Sequence, residues 1–312
     1  MSPDTITAEV HFGINTIYTV QRDGDRMQCR IKGKILKAGE RSYNPIAPGD
    51  LVEIAPDPMS NAIGRILGLL PRRSVLARWN KKGKAPQVIA ANAELAVCVT
   101  SPCAPPFRPR FIDRLIVAAE SGAMSVLVLM NKCDLPVEEG VRARLDDFRR
   151  IGYPVHACSA LNGEGMAELA GLLRGKTSVF IGQSGVGKSS VLNALERDLG
   201  LRVGAISAKH DRGSHTTNCS RLLVLSSGLR VVDTPGMREF EIAGVDPSDV
   251  AFHFREFAPY AQGCPLSSCL HSGEPQCAVR AAADRGEIHR DRYESYSRIL
   301  RELRDTRRSP HG

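Results

Sequence analysis

Phe180-Ile181-Gly182-Gln183-Ser184-Gly185-Val186-Gly187-Lys188-Ser189-Ser190 reads as an apolar strand that runs into a glycine-rich turn and then into a helix beginning near Lys188. Gly182 and Gly187 stand at the spacing of a phosphate-binding loop, with Lys188 and Ser189 directly behind, so backbone N–H groups can wrap an anionic phosphate chain. The glycines permit close backbone approach, and the helix N-terminus adds partial positive charge. Lys188 can reach the β and γ phosphates, and the Ser189 hydroxyl can ligate Mg²⁺. Nucleotide contacts are therefore expected from Gly182, Gln183, Ser184, Gly185, Val186, Gly187, Lys188, Ser189 and Ser190. A strand from Thr177 to Ile181 and a helix from Ser189 to Leu199 give the loop the flanks it requires.

The base is read elsewhere. Ser125 to Met130 forms an apolar strand ending in Asn131-Lys132-Cys133-Asp134, a pattern by which many proteins with this loop recognise guanine. The Asp134 carboxylate would accept from the N1–H and N2–H₂ of guanine, Asn131 would bond the base edge, and the Lys132 stem would cover the ring face. Adenine offers no such pair of donors, and a site built on hydrogen bonds rejects the wrong ligand by roughly 10⁴-fold. Cys158-Ser159-Ala160, after a strand from Tyr153 to Ala157, has the form of the loop that supports guanine through a backbone N–H.

Arg230-Val231-Val232 leads into Asp233-Thr234-Pro235-Gly236, the form of a second switch, with Asp233 on Mg²⁺ through water and the Gly236 N–H toward the γ-phosphate. A first switch is expected between Lys209 and Asn218, around His215-Thr216-Thr217. Magnesium is then expected on Ser189 and Thr217, with Thr216 as the alternative. Ordinary small GTPases run from phosphate loop through both switches to the base-reading motifs, whereas here the base-reading half comes first. The chain is circularly permuted, which sheet folds tolerate when their original ends lie close together. The second switch consequently feeds straight into whatever follows it.

At 312 residues the chain has room for two or three domains, and its formal charge of +8 favours an acidic partner. No apolar run of about eighteen residues and no leader-like N-terminus occur, so a cytoplasmic protein without a membrane partner is expected. Nine cysteines read as thiols or metal ligands and not as a disulfide framework. Residues 1–75 carry five short alternating runs, from Val10 to Leu67, that suit an all-β OB-fold barrel binding RNA. The acid-free stretch from Pro58 to Ala93 carries Arg65, Arg72, Arg73, Arg78, Lys81, Lys82, Lys84 and Trp79. It reads equally as a nucleic-acid surface or as a solvated linker. Residues 76–245 alternate strands and helices, the pattern of a mainly parallel α/β sheet with the motifs at strand carboxyl ends.

Residues 246–312 form a third, mainly α unit in which Cys264, Cys269, His271 and Cys277 suggest a closed tetrahedral site of three thiolates and one imidazole. One structural Zn²⁺ is expected there, stapling a segment short of apolar residues. His253 and His289 are expected to be exposed, and the arginine-rich tail from Ile288 to Arg308 reads as a solvated helix or a nucleic-acid contact.

Taken together, the barrel, the motif order from Asn131 to Asp134 ahead of Gly182 to Ser190, and the cluster ending in Glu274-Pro275-Gln276-Cys277-Ala278 resemble the ribosome-small-subunit-dependent GTPase A (RsgA) family. The resemblance covers nearly the whole chain. It implies a GTP hydrolase, with GTP and GDP, Mg²⁺ and one Zn²⁺ as its cofactors, acting late in maturation of the small ribosomal subunit. It further implies that the barrel and zinc units both touch that subunit and its ribosomal RNA; a monomer with no DNA partner is expected. Two positions depart from GTPase patterns. Ser214 stands where the family carries an arginine before His215, and Met237 stands where Ras-like enzymes carry a water-orienting glutamine. A thioether cannot orient water, so slow hydrolysis by the free protein is expected, with His215 or a group of the subunit positioning the nucleophile. The catalytic set is thus Lys188, His215, Asp233 and Gly236. A nucleotide-dependent RNA chaperone or a transfer-RNA-binding protein, with incidental turnover, is the rival reading, and an ATPase is a third.

Overall fold

In the computed structural model, which describes residues 6–14, 16–31, 42–57, 60–196, 199–201 and 219–308, the alternating N-terminal runs close on themselves. Strands β1 (Ile6–Ile14), β2 (Ile17–Arg22), β3 (Asp25–Ile31), β4 (Leu51–Asp57) and β5 (Ser60–Leu69) form a closed barrel in the order β1-β2-β3-β5-β4. Val10, Val20, Cys29, Val52, Ile54 and Ile66 fill it. A register shift between Val10 and Phe12 bends β1, as bulges do where barrels turn. This is the five-stranded barrel that the sequence suggests.

The basic stretch after the barrel is not a linker. Strands β6 (Val75–Asn80) and β7 (Ala85–Ala91) pair as an antiparallel ribbon, and Leu76, Ile89 and Ala90 are buried in the neighbouring α/β core. The apolar residues Val75 to Ala77 and Val88 to Ala91 pair at one end of the ribbon, whereas Arg78, Lys81, Lys82 and Lys84 gather at the turn end, so the charge of the stretch by itself suggests a solvated segment.

The central sheet runs β10-β9-β8-β11-β13-β12, built from β8 (Leu95–Thr100), β9 (Ser125–Met130), β10 (Val155–Ala157), β11 (Thr177–Gly182), β12 (Arg221–Val224) and β13 (Arg230–Asp233). All pairs are parallel except β12 with β13. The apolar strands are buried on both faces, one covered by α1 (Pro109–Ser121) and α2 (Glu139–Arg150), the other by α3 (Met166–Leu173) and α4 (Lys188–Leu195). Chain order reverses direction between β8 and β11, and such switch points open a crevice at the strand carboxyl ends. The barrel leans on the far edge of this sheet. Arg230 on β13 donates to Glu9 on β1, and the Arg221 guanidinium lies 4.9 Å above the Phe12 ring.

Helices α5 (Ala258–Ala261), α6 (Ala278–Asp284) and α7 (Arg290–Arg308) make the C-terminal unit. It is not short of apolar residues: Val250, Phe254, Phe257, Val279, Tyr296 and Ile299 form a core of their own. Those residues come from segments on either side of the cysteine cluster, so a window on the cluster alone misses them. Nor is α7 a solvated tail. Arg292 is fully buried, donating to Glu256 at 2.6 and 3.0 Å and to Asp113 of α1 at 2.9 Å, and its guanidinium lies 4.3 Å above Phe254. Arg144 of α2 reaches the same Asp113 at 3.1 Å. His253 and His289 are half-buried and not exposed, because the C-terminal unit packs against α1 and α2: His253 lies 3.8 Å from Glu120, and His289 accepts the Asp291 N–H at 3.2 Å.

Removing one partner from a buried ion cluster strands the others without solvent. Arg292→Ala is therefore expected to destabilise the protein by about 3–5 kcal/mol. Urea unfolding followed by tyrosine fluorescence would show it; a midpoint equal to that of the parent protein would refute the role given to Arg292.

Candidate nucleotide site and metal cluster

Gly187, the residue before α4, sits at φ 92°, and a Cβ there would come 2.3 Å from Asn131 Nδ2. That closeness is functional geometry. Asn131, at the end of β9, is almost fully buried and donates from Nδ2 to the Val186 carbonyl at 2.9 Å. Its Oδ1 accepts the Ala160 N–H at 3.1 Å, so its polar ends staple the phosphate loop to the loop after β10. Lys132 donates to the Gly185 carbonyl at 2.8 Å and to Ala104, while Ser159 donates to the exposed Asp134 carboxylate. Asn131, Lys132, Asp134, Ser159 and Ala160 thus join the loop from Gly182 to Gly187 in one hydrogen-bonded constellation.

Lys188, in the first turn of α4, is 7% exposed and donates to the carbonyls of Gly182 at 2.9 Å and Gln183 at 3.1 Å. Burial pushes its pKa down to about 8, only partly opposed by the Asp233 carboxylate. Asp233, at the end of β13, is shifted upward by burial against the pull of Lys188. An anionic ligand restores the lysine charge, so binding above pH 8 requires proton uptake. GTP affinity is expected to fall about eightfold between about pH 7.5 and about pH 9, the bound lysine staying charged. Titration with a fluorescent GTP analogue tests this, and a flat profile would refute it.

The segment from Asp233 to Met237, expected as a second switch, lies across the loop. Thr234 Oγ1 donates to the Phe180 carbonyl at 2.7 Å, Met237 N donates to Gly182 at 3.2 Å, and a Cβ on Gly236 would meet Ser184 Cα at 2.8 Å. Met237 is 6% exposed and packs in the core with Phe240. Ser189 and Ser190 are half-buried at the start of α4. Ser189 and Asp233 supply hard oxygen donors of the kind Mg²⁺ takes. His215, Thr216 and Thr217 lie outside the described residues.

Cys264, Cys269, His271 and Cys277 bring their ligand atoms within 4.8 Å of one another. Cys264 Sγ lies 3.9 Å from Cys277 Sγ, and His271 Nδ1 lies 3.5 and 3.4 Å from these two sulfurs. Tetrahedral zinc with its ordinary bond lengths has ligand edges of about 3.5–3.8 Å, so the donor set fits that ion. No disulfide competes, all nine cysteines being free.

Spacing alone does not reveal the residues that hold this loop. Glu274 accepts the N–H groups of Leu270, Ser272 and Gly273 at 3.1, 2.6 and 3.1 Å. Tyr293 OH donates to the His271 carbonyl at 2.8 Å, and Tyr296 OH to that of Leu270. Arg108, just before α1, was equally invisible in the sequence; with the Gln183 amide turned so that its oxygen faces Arg108, it donates there at 2.9 and 3.2 Å.

The family model described as RsgA GTPase matches residues 69–243. The small ribosomal subunit biogenesis GTPase RsgA of Chlorobaculum parvum is 39% identical, covering 96% of this chain and 99% of its own. The chain belongs to the RsgA GTPase family. The RsgA of Flavobacterium johnsoniae is 35% identical over 95% of this chain and 93% of its own. Among solved structures, YjeQ from Thermotoga maritima superposes with a TM-score of 0.72 at 32% identity, covering 96% of this chain and 98% of that one. YloQ, described as a circularly permuted GTPase, gives 0.69 at 26% identity, covering 97% and 96%. The RsgA relatives therefore span the barrel and the cysteine cluster as well as the residues that the family model matches.

Proposed function

We propose that the protein hydrolyses GTP to GDP and phosphate as a late maturation factor of the small ribosomal subunit, bound to its ribosomal RNA. The observation that carries this is the Asn131 bond to Val186: it holds a carboxylate able to read guanine beside a loop able to wrap a triphosphate. Asp134 takes the two guanine donors, the Lys132 stem lies along the ring, and the Ala160 loop backs the base. Gly182 to Ser190 wrap the phosphates, and Lys188 leaves the Gly182 and Gln183 carbonyls for the β and γ oxygens. Ser189, Asp233 and Thr217 or Thr216 would hold Mg²⁺, which would supply neutralisation of charge on the phosphates.

With Met237 turned into the core, the protein offers no side-chain amide for the water at that position. His215 or a group of the subunit takes this task, so turnover is coupled to docking. Zn²⁺ on the three cysteines and His271 keeps a subunit-facing loop in shape. Among the described residues no helix is long and apolar enough to cross a membrane; with a ribosomal partner, the cytoplasm is the compartment proposed.

GTP turnover measured alone, with small subunits and with equal masses of bulk ribosomal RNA decides the matter. Stimulation by intact small subunits well beyond bulk RNA is expected. Equal stimulation by both would move the reading to a nucleotide-dependent RNA-binding protein, and ATP turnover matching GTP would remove the guanine reading. His215→Ala is expected to abolish the stimulated rate; an unchanged rate leaves the subunit to position the water.

A further inference from the structure

A cleft of about 600 Å³ opens between α1, the segment Arg238 to Glu241 that leaves the second switch, and α7. Beneath it Phe111 and Phe240, both buried, meet edge to face with centroids 6.3 Å apart, and half-buried Phe107 supplies the aromatic wall. Its carboxylates are already engaged. Asp291 takes Arg110 at 3.1 Å, Glu302 takes Arg114 at 2.7 Å, and Glu239 and Glu241 face Lys81. Two exposed guanidinium groups remain without a carboxylate among the described residues: Arg238, and Arg108, whose bond goes to the neutral Gln183 amide.

We propose that this cleft holds one splayed nucleotide of single-stranded RNA, its base against Phe107 and its phosphate between Arg108 and Arg238. Planar guanidinium forks match phosphate oxygens, and aromatic faces take bases regardless of sequence. A nucleotide brings a single charge and a flat ring to this mixture. An acidic peptide would leave the Phe107 face without a ring to stack on it and set carboxylate after carboxylate beside Glu239 and Glu302. Across the switch-exit segment, the ribbon carries Arg78, Trp79, Lys81 and Lys82, so the strand has a basic, partly aromatic surface on which to continue. Arg108 then stands between the RNA and the phosphate loop, because a guanidinium drawn to phosphate releases Gln183, whose carbonyl receives Lys188.

The inference rests on RNA being the partner, and the test separates the two. The full-length protein, saturated with GDP, is titrated with a fluorescent oligouridylate of about ten nucleotides, then photo-cross-linked to its 4-thiouridine form. Cross-links in the peptides containing Phe107 or Arg238 are expected. Arg108→Ala/Arg238→Ala should lower the salt slope by about 1.4, the value for two lost single-strand phosphate contacts. Phe107→Ala should weaken binding roughly tenfold. No affinity of the parent protein for the oligouridylate overturns the cleft, while the reading as a small-subunit factor falls only if intact subunits fail to stimulate turnover. RNA binding with cross-links elsewhere and an unchanged slope overturns only the cleft. If polyglutamate affinity, and not RNA affinity, falls in the double variant, the cleft is a peptide site and the inference is wrong.

Discussion

Asp134→Asn is expected to lower GTP affinity by roughly 10³- to 10⁴-fold and to move the preference to xanthosine triphosphate. A carboxylate only accepts, which suits the paired N1–H and N2–H₂ donors of guanine. An asparagine amide sets its own N–H₂ against the N2–H₂, donor facing donor in a site with no room to trade partners. Xanthine replaces that amino group by a carbonyl and so accepts the amide. The Ser159 hydroxyl, which donates to Asp134 in the parent protein, can donate to the amide oxygen as well. Because Asp134 is exposed, the variant should keep the parent's unfolding midpoint, which separates a lost ligand contact from a lost fold. Titration of both proteins with GTP, XTP and ATP gives the answer. Retained GTP affinity in the variant would mean that this carboxylate does not read the base.

Much of this arrangement was legible before any coordinates, and the reason is local. The strand ending at Met130 and the loop from Gly182 to Ser190 each carry their own apolar run, turn and helix start, so neither needs a distant partner to be recognised. The barrel was legible for the same reason, its alternation being a property of short windows. What could not be read was pairing across the chain. Arg292 looks like one more surface arginine until Asp113 and Glu256 are seen around it, and nothing near it in sequence announces either. The docking of α7 and the ribbon's burial under the α/β core follow from such long-range pairings. Asn131 shows a subtler limit: its motif points to the base edge and says nothing of the two loops of the protein that its buried polar ends tie together. Arg108 belongs to no motif and is found only because Gln183 lies beside it.

Stripping a bound metal with a chelator, or Cys277→Ser, is expected to unfold the loop from Cys264 to Cys277 while the rest of the C-terminal unit stays folded. The loop has reasons to come apart alone. His271 and Gln276 hold φ values of 51° and 56°, a conformation that costs about 1–3 kcal/mol per residue unless its surroundings impose it. Without a cation, the ligand atoms gathered within 4.8 Å offer one another only weak sulfur contacts. Zinc on such a donor set contributes an apparent free energy of about 10–16 kcal/mol at neutral pH, far beyond that strain. The rest of the unit does not depend on it, since Phe254, Phe257, Tyr296 and Ile299 form an apolar core and Arg292 ties α7 to α1. Hydrogen exchange should therefore quicken at residues 264–277, and at most slightly in α7, where the Tyr293 and Tyr296 bonds to the loop carbonyls are lost. One zinc per chain in native mass spectrometry is the companion expectation. A metal-free protein with a protected loop would show that Glu274 and the two tyrosines suffice, and unfolding of the whole unit would show that its apolar core cannot stand without the ion.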